Sequence, residues 1–444
     1  MMSVKVRFAP SPTGTLHVGG VRTALFNYLF AKKQGGEIFL RIEDTDKERS
    51  KREYEQGILD SFEWLGLEFD DFEDQQLIRQ SERGDLYRQA LEKLLESGAA
   101  YVSKEKVKKE GPSTALRAGK RAEVIRFKNP GSKVTFTDLI RGEISFDTAE
   151  LGDFVIAKSL DEPLYHLAVV VDDATMGLTH VIRGEEHISN TPRQILLIEA
   201  LGAKRPEYAH FPLILAADRS KLSKRHGSVS VMEYRDEGYL PEAVINFLAT
   251  LGWSPQAAGL KEEVLSLDEL IKYFDLAHIQ KGGAIFNLEK LDWFNREYIK
   301  RLPEDELLME MEKHFPGKDR EILKKLLPEI TPRITNFSDL NKQSGAGEWD
   351  YFFEAPKPDK ELLKTPETLE KTIELLKAPN ADEFTAEKIK EAVWDYAEQE
   401  GKAKILWPMR VALSGRSRSA DPFTIATIIG KEETIKRLKH AKGL

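Results

Sequence analysis

The chain opens on a strand–turn–helix–strand order, and no other feature restricts its fold as much. Residues 4–8 form an apolar run with strand character. A turn rich in Pro and Gly follows, and a helix begins near Val18 and continues through residues 21–33. Glu37–Ile42 reads as a second strand and ends in Arg41-Ile42-Glu43-Asp44-Thr45-Asp46. A βαβ beginning of this kind points to a parallel sheet with a right-handed crossover. Ligands of such sheets bind at the carboxyl ends of the strands, where residues 11–17 and 43–46 both lie, so the two segments can face one crevice.

The turn reads Ala9-Pro10-Ser11-Pro12-Thr13-Gly14-Thr15-Leu16-His17-Val18-Gly19-Gly20. A strand-to-helix junction aims unpaired backbone N–H groups at an anion. About two hundred residues later, Lys221-Leu222-Ser223-Lys224-Arg225 follows the apolar run 213–216 and precedes Gly227, as expected of a basic loop able to close over a nucleotide. Together the two segments describe an ATP site. His17 would be a neutral donor near the transferring phosphoryl group, and Gly19 and Gly20 would leave room for adenine and ribose. Lys221 and Lys224 would offset charge growing on the α-phosphate and pyrophosphate. Each motif taken singly has an ordinary alternative, a helix start with packing glycines or solvated lysines, and only the pairing points to nucleotide chemistry.

Arg7 closes the first strand, and Arg183 stands in the apolar segment His180-Val181-Ile182-Arg183-Gly184-Glu185-Glu186. Both lie beside the proposed crevice. A buried guanidinium needs an anionic partner. That partner is either Glu43, Asp172 or Glu186 in a structural ion pair, or an acidic substrate.

Composition sets the outer limits. At 444 residues the chain should form two to four domains. It is 41% hydrophobic, without an apolar run near the length of about 18 residues that a membrane span requires, so no membrane association is expected. Its first residues lack the pattern of a secretory signal, and a cytoplasmic location is expected. The absence of cysteine excludes disulfides, thiolate catalysis and Cys-containing zinc sites, and the nine His show no metal-binding spacing. A net charge of −8 does not argue against a nucleic-acid partner, because 66 Lys and Arg can be concentrated on one face.

From residue 79 to 163 the pattern changes to a helix (85–97) and short β-like runs (124–127, 134–138, 143–147), with a basic stretch at 104–121 suited to an RNA backbone. This is expected to be an insertion that splits one sheet. The α/β pattern returns with 166–172, 180–183, a helix at 192–201 and a strand at 213–216. Helical patterns dominate 232–298, with Trp253 and Trp293 as expected core anchors. After Leu302 the chain reads as amphipathic helix, and breaks at 356–358 and 377–380 suggest two subdomains.

Residues 9–20 with 221–225 match the HIGH and KMSKS motifs of class I aminoacyl-tRNA synthetases, here His17-Val18-Gly19-Gly20 and Lys221-Leu222-Ser223-Lys224-Arg225. More specifically, Arg7 to Gly14, Leu40 to Asp46, Tyr165-His166-Leu167-Ala168, Val171-Asp172-Asp173 and Val181 to His187 resemble bacterial glutamyl-tRNA synthetases in order and spacing. The likeness extends through Asn287 to Leu291, Trp293-Phe294-Asn295 and Pro408 to Gly415. It implies an α/β Rossmann-like catalytic domain (1–78 and 164–215) with an inserted α+β acceptor-arm-binding domain (79–163). An all-α remainder would follow: a stem-contact domain carrying the KMSKS loop (216–301) and two anticodon-binding subdomains (302–376 and 377–444).

The resemblance also implies roles. Ser11 and Glu43 would hold the α-amino group of L-glutamate, with Ala9 beside it, and Arg7, Tyr165 and Arg183 its side-chain carboxylate. His17, Gly19, Gly20, Glu186, Ile214 and Lys221, Leu222, Ser223, Lys224 and Arg225 would contact ATP, which brings Mg²⁺; no protein-bound zinc is expected. Arg333 lies where discriminating relatives tend to carry Arg and would sense the third anticodon base. The expected chemistry is glutamate attachment to tRNA(Glu) through glutamyl-adenylate by a monomer, with a form that also charges tRNA(Gln) as the alternative. Val169 replaces an Asn that in some relatives can reach the amino acid. Outside this family, the competing readings are a small-molecule nucleotidylyltransferase and a non-catalytic tRNA-binding paralogue. The first does not explain the insertion or the helical tail, and intact His17, Lys221, Lys224 and Glu43 argue against the second.

Overall fold

The computed structural model describes residues 3–106, 121–220, 222 and 230–443. Lys221, Ser223, Lys224 and Arg225, and nearly all of the basic stretch 104–121, therefore lie outside the described residues. The chain divides into two compact units, Met1–Phe294 and Asn295–Leu444.

In the first unit β1 (Lys5–Phe8) leads into α1 (Val18–Lys33), which returns to β2 (Glu37–Ile42), paired in parallel with β1. Helix α1 buries Val18, Val21, Leu25 and Leu29, spaced three or four residues apart on one face, with Phe26 buried beside them, and places Lys32 and Lys33 in its last turn, where cations suit the helix dipole. After α2 (Arg52–Leu65) the short β3 (Ile78–Arg79) adds in parallel to β2, and α3 (Gly84–Glu96) follows. The crossover fold expected from the opening segment is present.

The expected insertion contributes to two sheets. Strands β4 (Ala100–Lys106), β5 (Arg121–Phe127), β8 (Phe154–Ser159) and β9 (Glu162–Pro163) form an antiparallel sheet. The hairpin β6 (Lys133–Asp138) and β7 (Gly142–Asp147) instead extends a sheet made by β10 (His180–Gly184) and β11 (Glu207–Phe211), through the parallel pair Tyr208 and Asp138. Strand β10 lies beside β1, since Thr179 donates its N–H to the Lys5 carbonyl at 2.9 Å.

The apolar run 166–172 lies in helix α4 (Tyr165–Thr175) despite three consecutive valines. β-Branched residues cost a helix only tenths of a kcal/mol, roughly, and burial of Leu167 through Asp173 between neighbouring elements outweighs that. Helix α5 (Thr191–Ala200) begins with Pro192 in its first turn and packs on α4. The strand expected at 213–216 is the two-residue β12 (Ile214–Leu215). Helices α6 (Val231–Asp236), α7 (Pro241–Thr250) and α8 (Leu267–Tyr273) follow, and then β13 (Ala284–Ile285), which pairs with β12.

Trp253 is a core anchor, 2% exposed. Trp293, on α9 (Leu288–Ile299), is not: it is half-buried under the Lys290 ammonium, 3.9 Å from its ring centre, and its neighbour Phe294 takes the buried position. Two adjacent aromatic residues cannot both point inward from one helix face, and the ring that can stack with a cation stays at the surface.

In the second unit the described residues after α9 form only helices. They are α10 (Glu304–His314), α11 (Arg320–Ile330), α12 (Ser338–Gly345), α13 (Lys360–Leu363), α14 (Leu369–Leu376), α15 (Ala386–Glu400), α16 (Lys402–Ser414), α17 (Pro422–Ile429) and α18 (Lys431–Lys442). Sequence-encoded caps start several of them: Asp319 accepts from the N–H groups of Glu321 and Ile322, and Asp421 from those of Phe423 and Thr424 ahead of Pro422 at the first turn. Helix α14 packs on α18, and α15 on α16 and α17.

Candidate active site

A cavity of about 1480 Å³ opens at the carboxyl ends of β1, β2 and β10. Its walls include Arg7, Ala9, Ser11, His17, Gly19, Gly20, Glu43, Tyr165, Arg183, Glu186, Ile214 and Leu222. Every described residue assigned from sequence to glutamate or ATP is thus in one place. Arg333 belongs to the second unit.

His17 caps α1. Its Nδ1 accepts the Gly20 N–H at 3.1 Å. A nitrogen that accepts from a backbone amide carries no proton, so in the neutral ring the proton sits on Nε2. The glycines also have a local packing role. A Cβ at Gly19 would sit 3.1 Å from the His17 ring, and one at Gly20 would sit 2.8 Å from the Leu16 side chain. They make space for the cap and its neighbour.

The described residues on either side of 223–229 are held by neighbouring backbone. Leu222 donates its N–H to the Ile214 carbonyl at 3.3 Å, Val231 donates to the Leu16 carbonyl at 3.2 Å, and Ser230 bridges His17.

Beneath the cavity is a buried ionic network. Arg41, fully buried, places Nη2 at 2.8 Å from Asp173 Oδ1 and 3.3 Å from Glu43 Oε1, with Nε 3.7 Å from Asp172 Oδ2. Arg7 Nε donates to the same Asp173 Oδ1 at 3.2 Å. Asp172 also accepts from Arg83 at 2.7 Å, from Gln80 at 2.7 Å and from Tyr87. The ion-pair partners of Arg7 expected from sequence were Glu43, Asp172 or Glu186; the structure pairs Arg7 with Asp173. Burial pushes the Asp173 carboxyl up, but Arg7 and Arg41 outweigh it and hold it below the usual range. Burial also dominates at Glu43, whose carboxyl is raised against the pull of Arg41 and Arg7. A cation arriving at Glu43 would relieve that penalty.

Among the described residues Arg183 meets no carboxylate: it donates to His210, Thr191 and Gln194. Tyr165 Oη lies 3.4 Å from His187 Nδ1. Burial, then Arg183, push the His187 ring down to about 4, so it is neutral near pH 7. Val169, 1% exposed, is buried and does not line the cavity. In the second unit Arg333 is paired with Glu329 at 3.1 Å and lies 5.0 Å from the Trp349 ring.

Sequence reasoning missed Arg41, His210 and Gln194. Their signal was a polar or charged residue inside an apolar run, which burial forces to find partners. Nothing in the sequence said which partners.

A Rossmann-type parallel sheet, interrupted by an insertion and carrying a helix start at the cavity on its carboxyl edge, defines a nucleotide-using unit of the synthetase type. The family model for the catalytic domain of class I tRNA synthetases (E and Q) matches residues 3–115 and 106–293, and an anticodon-binding domain model matches 306–442. The glutamate–tRNA ligase of Aquifex aeolicus is 42% identical over 99% of this chain and 98% of its own length, and that of Carboxydothermus hydrogenoformans is 40% identical over 98% and 99%. The crystal structure of a glutamate tRNA ligase from Elizabethkingia meningosepticum in complex with its amino acid superposes with a TM-score of 0.86, at 35% identity, covering 100% of this chain and 99% of that one. The chain belongs to the glutamate–tRNA ligase family.

Proposed function

We propose that this enzyme joins L-glutamate to the 3′ end of tRNA(Glu) in two steps. The glutamate α-carboxylate attacks the ATP α-phosphate in line and pyrophosphate leaves; the adenylate then passes glutamate to the terminal ribose. The observation that carries this reading is the pairing, in one cavity beside His17, of a penalised carboxylate at Glu43 with a guanidinium at Arg183 that meets no carboxylate among the described residues. An amino acid with an acidic side chain complements both.

In this reading Ser11 and Glu43 hold the α-amino group, and Arg7, Tyr165 and Arg183 hold the side-chain carboxylate. The His17 Nε2–H meets the phosphate, Gly19, Gly20, Glu186, Ile214 and Leu222 shape the nucleotide pocket, and Lys221 and Lys224, flanking Ser223 and followed by Arg225, stabilise charge on the leaving pyrophosphate. No protein nucleophile takes part. Mg²⁺ enters with the ATP phosphates as part of the substrate; among the described residues no three His, Asp or Glu side chains are grouped to hold a metal. A neutral amide in place of the carboxylate leaves a buried cation underpaired, at roughly 2–5 kcal/mol, which is the basis of selection against glutamine.

Arg333, oriented by Glu329 and Trp349, is the proposed sensor of the third anticodon base, which makes tRNA(Glu) the substrate and tRNA(Gln) the excluded one. We further propose a cytoplasmic monomer; among the described residues no helix is long and apolar enough to cross a membrane. Charging of purified glutamate and glutamine tRNA transcripts with labelled glutamate, in parallel at one salt concentration, tests the reading. Charging of the first alone is expected, and Arg183→Ala abolishes it while ATP binding survives. Charging of both removes Arg333 as the gate, and an Arg183→Ala enzyme with near-normal glutamate use refutes the assignment of the side-chain site.

A further inference from the structure

Two of the guanidiniums lining the cavity, those of Arg7 and Arg183, are held in opposite ways. Arg7 shares its charge with Asp173, a carboxylate of the protein. Arg183, 5% exposed, donates from Nε to His210 Nε2 at 3.2 Å, and from Nη2 to Thr191 Oγ1 at 2.8 Å and Gln194 Oε1 at 2.7 Å. All three acceptors are uncharged. Its Nη1 has no hydrogen-bond partner among the described residues.

The neutrality of this shell is built in. An arginine N–H can only donate, so His210 Nε2 must accept, and the ring proton therefore sits on Nδ1 and is donated to Asp138 Oδ2 at 2.6 Å. Asp138 also accepts from the backbone N–H groups of Ile140, Arg141 and His210. Its charge is taken up by an imidazole and three amides and faces away from Arg183. Gln194 is more telling. Its oxygen must face the guanidinium, and its Nε2 is then buried with no partner. A glutamate at this position would orphan no N–H and would pair with Arg183 directly, yet the chain carries the amide, with its desolvation cost.

We propose that Gln194, Thr191 and His210 form a charge-free cradle that keeps Arg183 electrostatically unspent, so that the substrate's own side-chain carboxylate supplies the missing charge and its amide analogue does not. The inference rests on the reading that Arg183 receives the glutamate side chain. It makes Gln194 and Thr191 specificity-determining residues, and Asp138 a positioning residue that acts through His210.

The test compares Gln194→Glu with Gln194→Met in aminoacylation of a glutamate tRNA transcript, with KM and kcat measured separately for glutamate and ATP. Gln194→Glu is expected to raise the glutamate KM by roughly a hundredfold or more, as loss of a desolvated charge pair does, and to leave the ATP KM unmoved. The preference for glutamate over glutamine falls with it, because only the charged substrate loses a partner. Gln194→Met, which removes the acceptor without adding charge, raises the glutamate KM by less than about tenfold. Thr191→Asp delivers a carboxylate to the same Nη2 from the other side and repeats the experiment should Gln194→Glu fail to fold. Equal glutamate KM values in the charged and uncharged variants overturn the inference. Arg183→Gln separates it from the reading beneath: unchanged glutamate KM in that variant overturns both, whereas lost glutamate use with equal Gln194 variants overturns the cradle alone.

Discussion

Replacing Asp173 by Asn keeps the shape of the side chain and removes its charge, which exposes how the buried network works. Three guanidiniums, those of Arg7, Arg41 and Arg83, face three carboxylates, those of Glu43, Asp172 and Asp173. Asp173→Asn leaves one guanidinium uncompensated. Removing one partner of a buried pair costs about 3–5 kcal/mol. Glu43 at 3.3 Å and Asp172 at 3.7 Å still face Arg41, so the lower end, about 3 kcal/mol, is expected. For a unit spanning Met1–Phe294 that lowers the melting temperature by roughly 5 °C. Arg7 loses its Asp173 tether, and the glutamate KM rises by about tenfold with little change for ATP. The effect has a pH signature. The folded Asp173 carboxyl lies below its unfolded value of about 3.9, so its contribution is complete above that value and is lost as pH falls through the folded one. Parent and variant should therefore converge in stability as the pH drops below about 4. Thermal unfolding followed by circular dichroism across that range, together with glutamate kinetics, decides the matter. A variant within about 1 kcal/mol of the parent at neutral pH, with an unchanged glutamate KM, refutes the account.

Two further substitutions separate structural from chemical roles. His17→Asn keeps a good N-cap for α1 and removes the Nε2–H, so stability should hold within about 0.5 kcal/mol while kcat for adenylate formation falls by about 10²; unaltered turnover would show that the imidazole only caps. Burial, then Arg193 and Arg183, push His166 down to about 4, below its unfolded value of about 6.5, so the unfolded chain binds the extra proton between these values and stability declines as pH falls through that window. His166→Phe removes this part of the acid sensitivity, and urea midpoints at pH 7 and pH 5 should lie closer together than in the parent; an equal drop in both proteins excludes His166 as a contributor.

Local rules carried much of the outcome. The βαβ start, the cap position of His17, the helical tail with its Asp caps and the place of Glu43 after β2 follow from hydrophobic period, turn chemistry and chain order, all short-range properties. Arg7, Glu43 and Arg183 could be nominated because polar residues at apolar strand ends have few uses, and their convergence follows from a parallel sheet; Tyr165, at the start of α4, was named only through the family resemblance. What tertiary structure alone decided is the partnering of charge. Arg7 meets Asp173 from 166 positions away and Arg183 meets His210 through the register of β10 on β11, a pairing that depends on which strands become neighbours. The same holds for Trp293, which yields the core to Phe294, and for 166–172, where three-dimensional burial makes a helix of a valine run. Residue identity and local spacing determine which groups are present and on which element. Whether a buried cation is spent on its own protein or left for a substrate depends on contacts between segments far apart in the chain, and only the fold sets those.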